Sequence, residues 1–153
     1  MSWNPEGPSL DARRRDFLMT VESYADPAAL RHAEALLDAL VGWSEAHPRL
    51  EPARAGLRQT VGYRLGAGGP VLWVAHPKHG DEPALLLLPT LGLELEFDDC
   101  HALLREVTAL PSRWPVEDGA AILVPFSSLG DGPARSALTR LLDDLVPIAQ
   151  RYA

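Results

Sequence analysis

Cysteine and lysine are both scarce in this chain. Among 153 residues there is one cysteine, Cys100, so no disulfide can form within the chain. This usage is typical of a reducing compartment, and we expect a cytoplasmic protein. Lys78 is the one lysine among 14 Lys and Arg residues, so lysine-dependent chemistry has a single candidate. The bias toward Arg, Ala, Leu, Gly and Pro is typical of a GC-rich bacterial genome.

An excess of positive charge is also missing. The chain has 14 Lys and Arg against 21 Asp and Glu, a net charge of −7. Because nucleic acids and acidic membranes attract basic surfaces, neither is an expected partner. The local basic cluster Arg13–Arg15 is expected to form a solvated face of a helix instead. The longest apolar run, Ala84–Leu88, is too short to span a bilayer, and residues 1–9 lack the pattern of a secretory signal.

The helices are predicted from capping residues and apolar spacing. Residues 1–9 are expected to be a flexible tail, and residues 10–153 a single domain. Ser9 is placed to cap a helix over Leu10–Tyr24, with Phe17, Leu18 and Val21 facing inward. Asp26-Pro27 begins a second helix, which must stop near His47 because of Pro48. Two more helices are expected, one from Asp98 or Asp99 to about Leu110 and one from about Gly132, which Pro147 should kink or end.

Strands are predicted where apolar residues run together or alternate. Five segments fit: Arg58–Leu65, Val71–Ala75, Ala84–Leu88, Leu93–Phe97 and Ala120–Phe126. Gly66–Gly69 is a permissive turn between the first two. Because neighbouring strands are joined by short turns, we expect an α+β fold. Its mostly antiparallel sheet of about five strands is flanked by N-terminal, middle and C-terminal helices.

One polar cluster has the residue types of a metal site. His76 and His79 lie in the segment His76–Glu82, and Cys100 and His101 lie at the helix start Asp98–His101. If the sheet brings these segments together, the four side chains could close a tetrahedral site for a divalent metal. The alternative is that the first segment is an exposed hairpin loop and the second an ordinary capped helix start. Their spacing matches no established zinc pattern.

Catalytic motifs are missing. Cys100 and His101 are adjacent on a predicted helix and point about 100 degrees apart, so they do not face each other. Ser127-Ser128 lacks the nucleophile elbow of serine hydrolases, and the glycine-rich segments match no phosphate-binding pattern. We therefore assign no catalytic residue.

The four tryptophans divide into two pairs. Trp43 and Trp73 fall in a helix and a strand and are expected in the core. Trp3 and Trp114 fall in proline-containing segments, where an exposed indole favours a contact with a partner protein.

The segment Leu57–Leu88, with Tyr63, Trp73 and the apolar run Leu85–Leu88, resembles small bacterial domains of unknown function in the YjbR-like and DUF1801/DUF5655-like group. The resemblance implies a compact α+β sheet and supplies no catalytic residues.

Two functions follow as hypotheses. The leading one is a non-catalytic module that binds a protein partner or a second copy of itself, with an edge strand or the N-terminal helix pairing across a two-fold axis. The alternative is a small-molecule or metal-dependent enzyme that uses the cleft between His76–Glu82 and Asp98–His101.

Overall fold

The chain folds as an α+β domain in which helices pack on an antiparallel sheet. A computed structural model describes residues 9–53, 59–66, 69–87, 122–130 and 132–151. In chain order these form the helices and strands α1 (Leu10–Glu22), α2 (Pro27–Glu45), β1 (Leu50–Pro52), β2 (Val61–Leu65), β3 (Val71–His79), β4 (Glu82–Leu87), β5 (Ile122–Pro125), a 3-10 helix (Phe126–Leu129) and α3 (Gly132–Arg151). Within this part of the chain, no helix is long and apolar enough to cross a membrane.

Ser9 and Asp26 cap the N-terminal ends of α1 and α2, as the sequence predicts. The Ser9 hydroxyl accepts a hydrogen bond from the Ala12 N–H (3.2 Å), and the Asp26 carboxylate accepts one from the Ala29 N–H (2.8 Å). Each satisfies an amide that the first turn of a helix leaves without a partner. The helix α2 ends at Glu45, shortly before Pro48.

The sheet has the order β1-β2-β3-β4-β5, and every neighbouring pair is antiparallel. This confirms the predicted fold class. The predicted strand Leu93–Phe97, the predicted helix from Asp98 or Asp99 to Leu110, and the loop around Trp114 lie outside the described residues.

The strand boundaries differ from the prediction in several places: β2 begins at Val61 instead of Arg58, and β5 ends at Pro125 instead of Phe126. The strand β1 was not predicted, because three residues that end in proline carry no apolar alternation. The strand β3 continues four residues beyond Ala75, so the predicted loop His76–Glu82 is in fact two strand ends joined by the turn Gly80-Asp81. Gly80 has φ +72°, which a hairpin turn of this length requires and glycine adopts without strain.

Two facing prolines account for an irregularity near this hairpin. His76 pairs with Ala84 and His79 pairs with Glu82, so β3 has one more residue than β4 between these pairs. The extra residue lies where Pro77 and Pro83 face each other. Because proline has no N–H, neither residue can donate to the ladder there, and a β-bulge is the local solution.

A core lies between the helices and one face of the sheet, and Ala84 and Leu123 on the opposite face are also buried. Trp73 and Ala75 point to this face, and the buried Trp73 indole donates from Nε1 to the Ser44 hydroxyl on α2 (2.8 Å). The largest fully buried side chains are Trp73, Arg13, Tyr63, Phe17, Phe126, Leu36, Leu37, Leu72, Leu85, Leu87 and Leu129. The predicted stripe of α3, formed by Leu138, Leu141, Leu142 and Leu145, is fully included.

The helix α3 runs through Pro147 to Arg151, so of the two predicted effects of this proline, a kink or an end, the end does not occur. A proline leaves the carbonyl four residues earlier, here that of Asp143, without its helical donor. Asp143 and Pro147 both lie on the exposed side of α3, where water can hydrate the carbonyl and the loss is small.

Candidate functional site

The β3–β4 hairpin carries a group of polar side chains, among them His76, His79 and Glu82. Trp73 and Ala75 point toward the helices, so the alternating His76 points to the opposite face of the sheet. The bulge determines the direction of His79. Glu82 pairs with His79 and Ala84 pairs with His76. Glu82 and Ala84 are two residues apart, so both lie on one face of β4. His76, His79 and Glu82 therefore share the face that points away from the helices.

Tyr24, between α1 and α2, holds the hairpin from the other side. Its hydroxyl donates a hydrogen bond to the Pro77 carbonyl in the bulge. The Lys78 ammonium lies over the Tyr24 ring, 5.4 Å from its centre, which is the geometry of a cation–π contact. Burial, together with the negative charges of Glu82 and Asp81, raises the pKa of Tyr24 to about 12. The phenol is thus a stable donor at neutral pH.

Glu82 ties the hairpin to the end of β5. Its carboxylate oxygen Oε1 accepts a hydrogen bond from the backbone N–H of Ser127 (3.1 Å). Ser127 lies in the 3-10 helix. The hairpin is therefore anchored on both sides, to Tyr24 and to Ser127.

His76 is half-buried at this end of the sheet. Burial, and to a smaller extent the charge of His79, lowers the pKa of His76 below its ordinary value. The imidazole is therefore neutral at physiological pH and can act as a hydrogen-bonding group or as a metal ligand.

The predicted four-ligand metal site is described only in part. His76 and His79 come together on one face, whereas Cys100 and His101 lie outside the described residues. Among the residues that the structure does describe, no three His, Cys, Asp or Glu side chains are grouped as a metal site. The signal in the sequence for the common face of His76 and His79 is the two prolines at positions 77 and 83, which face each other at the bulge.

The tryptophan predictions have three outcomes. Trp73 is fully buried, as expected. Trp43 is only half-buried: its ring lies 4.4 Å from that of His47, and Nε1 donates to Asp143 on α3 (3.1 Å). Its indole N–H reaches this surface acid, so Trp43 lies at the rim of the core instead of inside it. Trp3 and Trp114 lie outside the described residues.

The cluster Arg13–Arg15 does not form the expected solvated face. Successive helical residues point about 100 degrees apart, and the three side chains separate accordingly. Arg13 is 2% exposed and donates to the Thr60 carbonyl (3.3 Å). Arg14 contacts Asp38 (2.7 Å), and only Arg15 is largely exposed, beside Asp16. No continuous basic surface results at this helix.

The outer edge of β1 is a poor template for another strand. The Gly66 N–H donates to the Arg49 carbonyl (2.8 Å) and the Ala53 N–H to the Gly62 carbonyl (2.9 Å). In an antiparallel ladder this alternation turns the backbone of Leu50 and Pro52 away from β2. The Leu50 N–H is already bonded to the His47 carbonyl, and proline has none. This edge therefore offers no donor to an added strand, as in proteins that avoid edge pairing.

Beside β1 lies an open groove of about 470 Å³, lined by Pro48, Arg49, Leu50, Glu51, Leu65, Gly66 and Gln150. Its volume is that of a small-molecule site, but its polar side chains are not aimed at a common point by any described contact.

The solvent-facing side of α2 has an ordered arrangement of small and charged residues, and we call it the α2 face. Its small residues, all exposed, are Ala28, Ala35, Ala39 and Gly42, and the exposed Ala46 follows at the C-terminal cap. Along one flank run exposed charged residues at intervals of seven: Arg31, Asp38 and Glu45. Residues seven apart lie almost in line on a helix, so these three form a row of charges. The sequence already contains this pattern, which a search for apolar stripes does not find.

Contacts within the chain neutralise the centre of this row. Arg14 donates to the Asp38 carboxylate from Nε (3.0 Å) and Nη2 (2.7 Å), and Nη2 lies 3.6 Å from Glu34. The hydrogen bond with Asp38 is the main cause that raises the pKa of Arg14. At the C-terminal end of the row, Glu45 accepts a hydrogen bond from the Tyr63 hydroxyl (3.3 Å). Arg31 has no described ion pair.

No family model, curated protein or solved structure matches this chain. The resemblance to YjbR-like and DUF1801/DUF5655-like domains therefore stays a prediction.

Proposed function

We propose that this chain is a non-catalytic binding module that associates with a second copy of itself through the α2 face. The observation that carries the proposal is the symmetric order of charges along this face. Arg31 precedes Asp38 by seven residues and Glu45 follows it by seven. A two-fold axis at Asp38 brings two α2 helices together antiparallel, and each Arg31 then lies beside Glu45 of the other copy.

The small residues support a close helix–helix contact. Packed helices lie 8–10 Å apart, depending on the side chains between them, and alanine and glycine permit the short end of that range. In the described part of the chain, Met19 is the exposed large apolar side chain, so contact through large apolar groups is not available there. The α2 face offers shape and charge complementarity instead.

The exposed glycine at position 42 supports a close contact at the α2 face on energetic grounds. A Cβ atom added at Gly42 would meet nothing within 4 Å, so the fold of one copy does not require glycine there. An exposed glycine inside a helix costs about 1 kcal/mol relative to alanine. Close approach of a second helix is a physical reason for keeping it.

The net charge of −7 opposes association at long range, so the local pairs must outweigh it. Arg14 reduces the repulsion between two facing Asp38 carboxylates because it already pairs with this side chain. The same proposal places the module in a bacterial cytoplasm, and the single cysteine and the Arg-rich composition support this location.

Charge reversal tests the proposal. We expect sedimentation equilibrium at about 0.15 M salt to show a dimer for the wild-type chain. Arg31→Glu and Glu45→Arg should each weaken it about tenfold or more, since each homodimer gains two repulsive pairs. An equimolar mixture of the two single variants should dimerise again, because every pair across its two-fold axis is attractive.

Arg140→Glu is the matched control, since Arg140 is exposed on α3 and outside the α2 face. It makes the same change of net charge as Arg31→Glu and should leave the dimer intact. A monomeric wild-type chain would refute the proposal, and so would a mixture of the two single variants that stays monomeric. Thermal unfolding of each variant checks that Glu45→Arg, which removes the Tyr63 contact, remains folded.

A second role, metal binding at the β3–β4 hairpin, rests on different residues and is argued next.

A further inference from the structure

The bulge in β3 brings two imidazoles and a carboxylate to one surface. His76 and His79 share the face of the sheet that points away from the helices, and Glu82 lies directly opposite His79. Side chains directly opposite on antiparallel strands have Cβ atoms roughly 5 Å apart, and diagonal neighbours roughly 7 Å. Such spacings allow long side chains to reach a common ion.

We propose that His76 and His79, together with the carboxylate of Glu82, bind one divalent transition-metal ion of the zinc class. Two imidazoles and one carboxylate are a ligand set that zinc accepts, and water completes the coordination. This site differs from the four-ligand site expected from the sequence, because it uses neither Cys100 nor His101. It is also independent of the α2 face.

The environment of each ligand suits this role. His76 is half-buried and therefore held in place, whereas His79 is exposed and can rotate toward an ion. Glu82 is fixed through Oε1 by the Ser127 N–H (3.1 Å), and a carboxylate held in this way can still ligate through its other oxygen.

The one lysine of the chain is directed away from these ligands. Lys78 lies between the histidines in sequence, but its ammonium is over the Tyr24 ring, on the helix side of the hairpin. The turn that joins the two strands carries a further exposed carboxylate, Asp81. Both nearby acidic groups therefore favour a cation. Because the three ligands are not grouped in the described structure, binding requires His79 to reorient, a rapid motion for an exposed side chain.

Zinc titration of the untagged full-length chain tests the site. Isothermal titration at pH 7.5 should show one zinc ion per chain. His76→Gln and His79→Gln should each weaken binding at least tenfold, and Glu82→Gln should weaken it by a smaller factor. The side-chain nitrogen signals of both histidines should shift in nuclear magnetic resonance spectra when zinc is added.

Two matched controls separate this site from the others. His47→Gln removes a partly exposed histidine elsewhere, and Cys100→Ser removes the one thiol; both should bind zinc like the wild type. Binding that is lost in Cys100→Ser and kept in His76→Gln would overturn the proposal, as would a wild-type chain that binds no zinc. Arg31→Glu should bind zinc normally, so failure of the dimer and failure of the metal site are distinguishable.

Discussion

The hydrogen bond between Trp73 and Ser44 joins the sheet to α2 inside the core, and removing it tests the packing of α2 on the sheet. Both residues are completely buried, and Trp73 Nε1 donates to Ser44 Oγ at 2.8 Å. The Ser44 hydroxyl in turn donates to the Leu40 carbonyl (2.9 Å). The change Ser44→Ala leaves the indole N–H buried without an acceptor.

The size of the effect follows from two opposing contributions. A buried donor that loses its acceptor costs about 1–3 kcal/mol. Alanine favours a helix over serine by about 0.5 kcal/mol, which offsets part of this cost. We therefore expect Ser44→Ala to lower the free energy of unfolding by about 0.5–2.5 kcal/mol. For a domain of this size that corresponds to a fall in Tm of roughly 2–8 °C.

Urea denaturation of a double-mutant cycle isolates the contact. Trp73→Phe removes the donor, so Ser44→Ala made in that background should cost at least about 1 kcal/mol less than in the wild type. Ser136→Ala, on the exposed side of α3, is the control for the helix-propensity gain and should stabilise by a few tenths of a kcal/mol. If Ser44→Ala costs the same with and without the indole, the hydrogen bond is not what stabilises this packing.

Three further predictions concern titration and backbone packing. Because the pKa of His76 is lowered in the folded state, the unfolded chain takes up the proton first as pH falls through about 6.5, and stability drops. The Tm of His76→Gln should therefore fall less than that of the wild type between pH 7.5 and 5.5, and parallel curves of Tm against pH would contradict this. Burial raises the pKa of Tyr24 and of Tyr63 to about 12, so the stability that these phenols contribute is present below pH 10 and lost between pH 10 and 12. In a pH titration followed by absorbance at 295 nm, two tyrosines should ionise late, and Tyr24→Phe should remove one of these transitions. Gly62→Ala places a Cβ atom 2.7 Å from the Trp73 carbonyl oxygen and should destabilise the fold by about 1–3 kcal/mol in urea denaturation. Gly42→Ala, with open space around it, should stabilise the monomer by up to about 1 kcal/mol in the same assay.

The sequence predicts those parts of the fold that depend on neighbouring residues. Ser9 and Asp26 cap the helices because their side chains reach amides three residues away, a relation that needs no tertiary structure. The core stripe of α3 follows from helical spacing in the same way. The strand β1 is different: it forms because β2 is available as a partner, and nothing in its own three residues reveals this.

The candidate site shows the same division. His76 and His79 are conspicuous in the sequence, but their common face depends on a bulge, and the bulge depends on Pro77 meeting Pro83 across two strands. Arg13 was expected among solvated residues, and its burial depends on Thr60, which is distant in the sequence. In each case the missing information is which residue lies opposite.

The strand order has a consequence for how the domain assembles. Within the described residues, β1, β2, β3 and β4 each pair with the next strand in sequence across a short connection, and we expect such local pairing to form early because little chain entropy is lost. The contacts that join α2 to the C-terminal segment span far greater separations: 94 residues between His32 and Phe126, and 100 between Trp43 and Asp143. The two described tryptophans therefore report on different events. We expect Trp73 to report on the pairing of β3 with β2 and β4, and Trp43 to report on a later docking of α3.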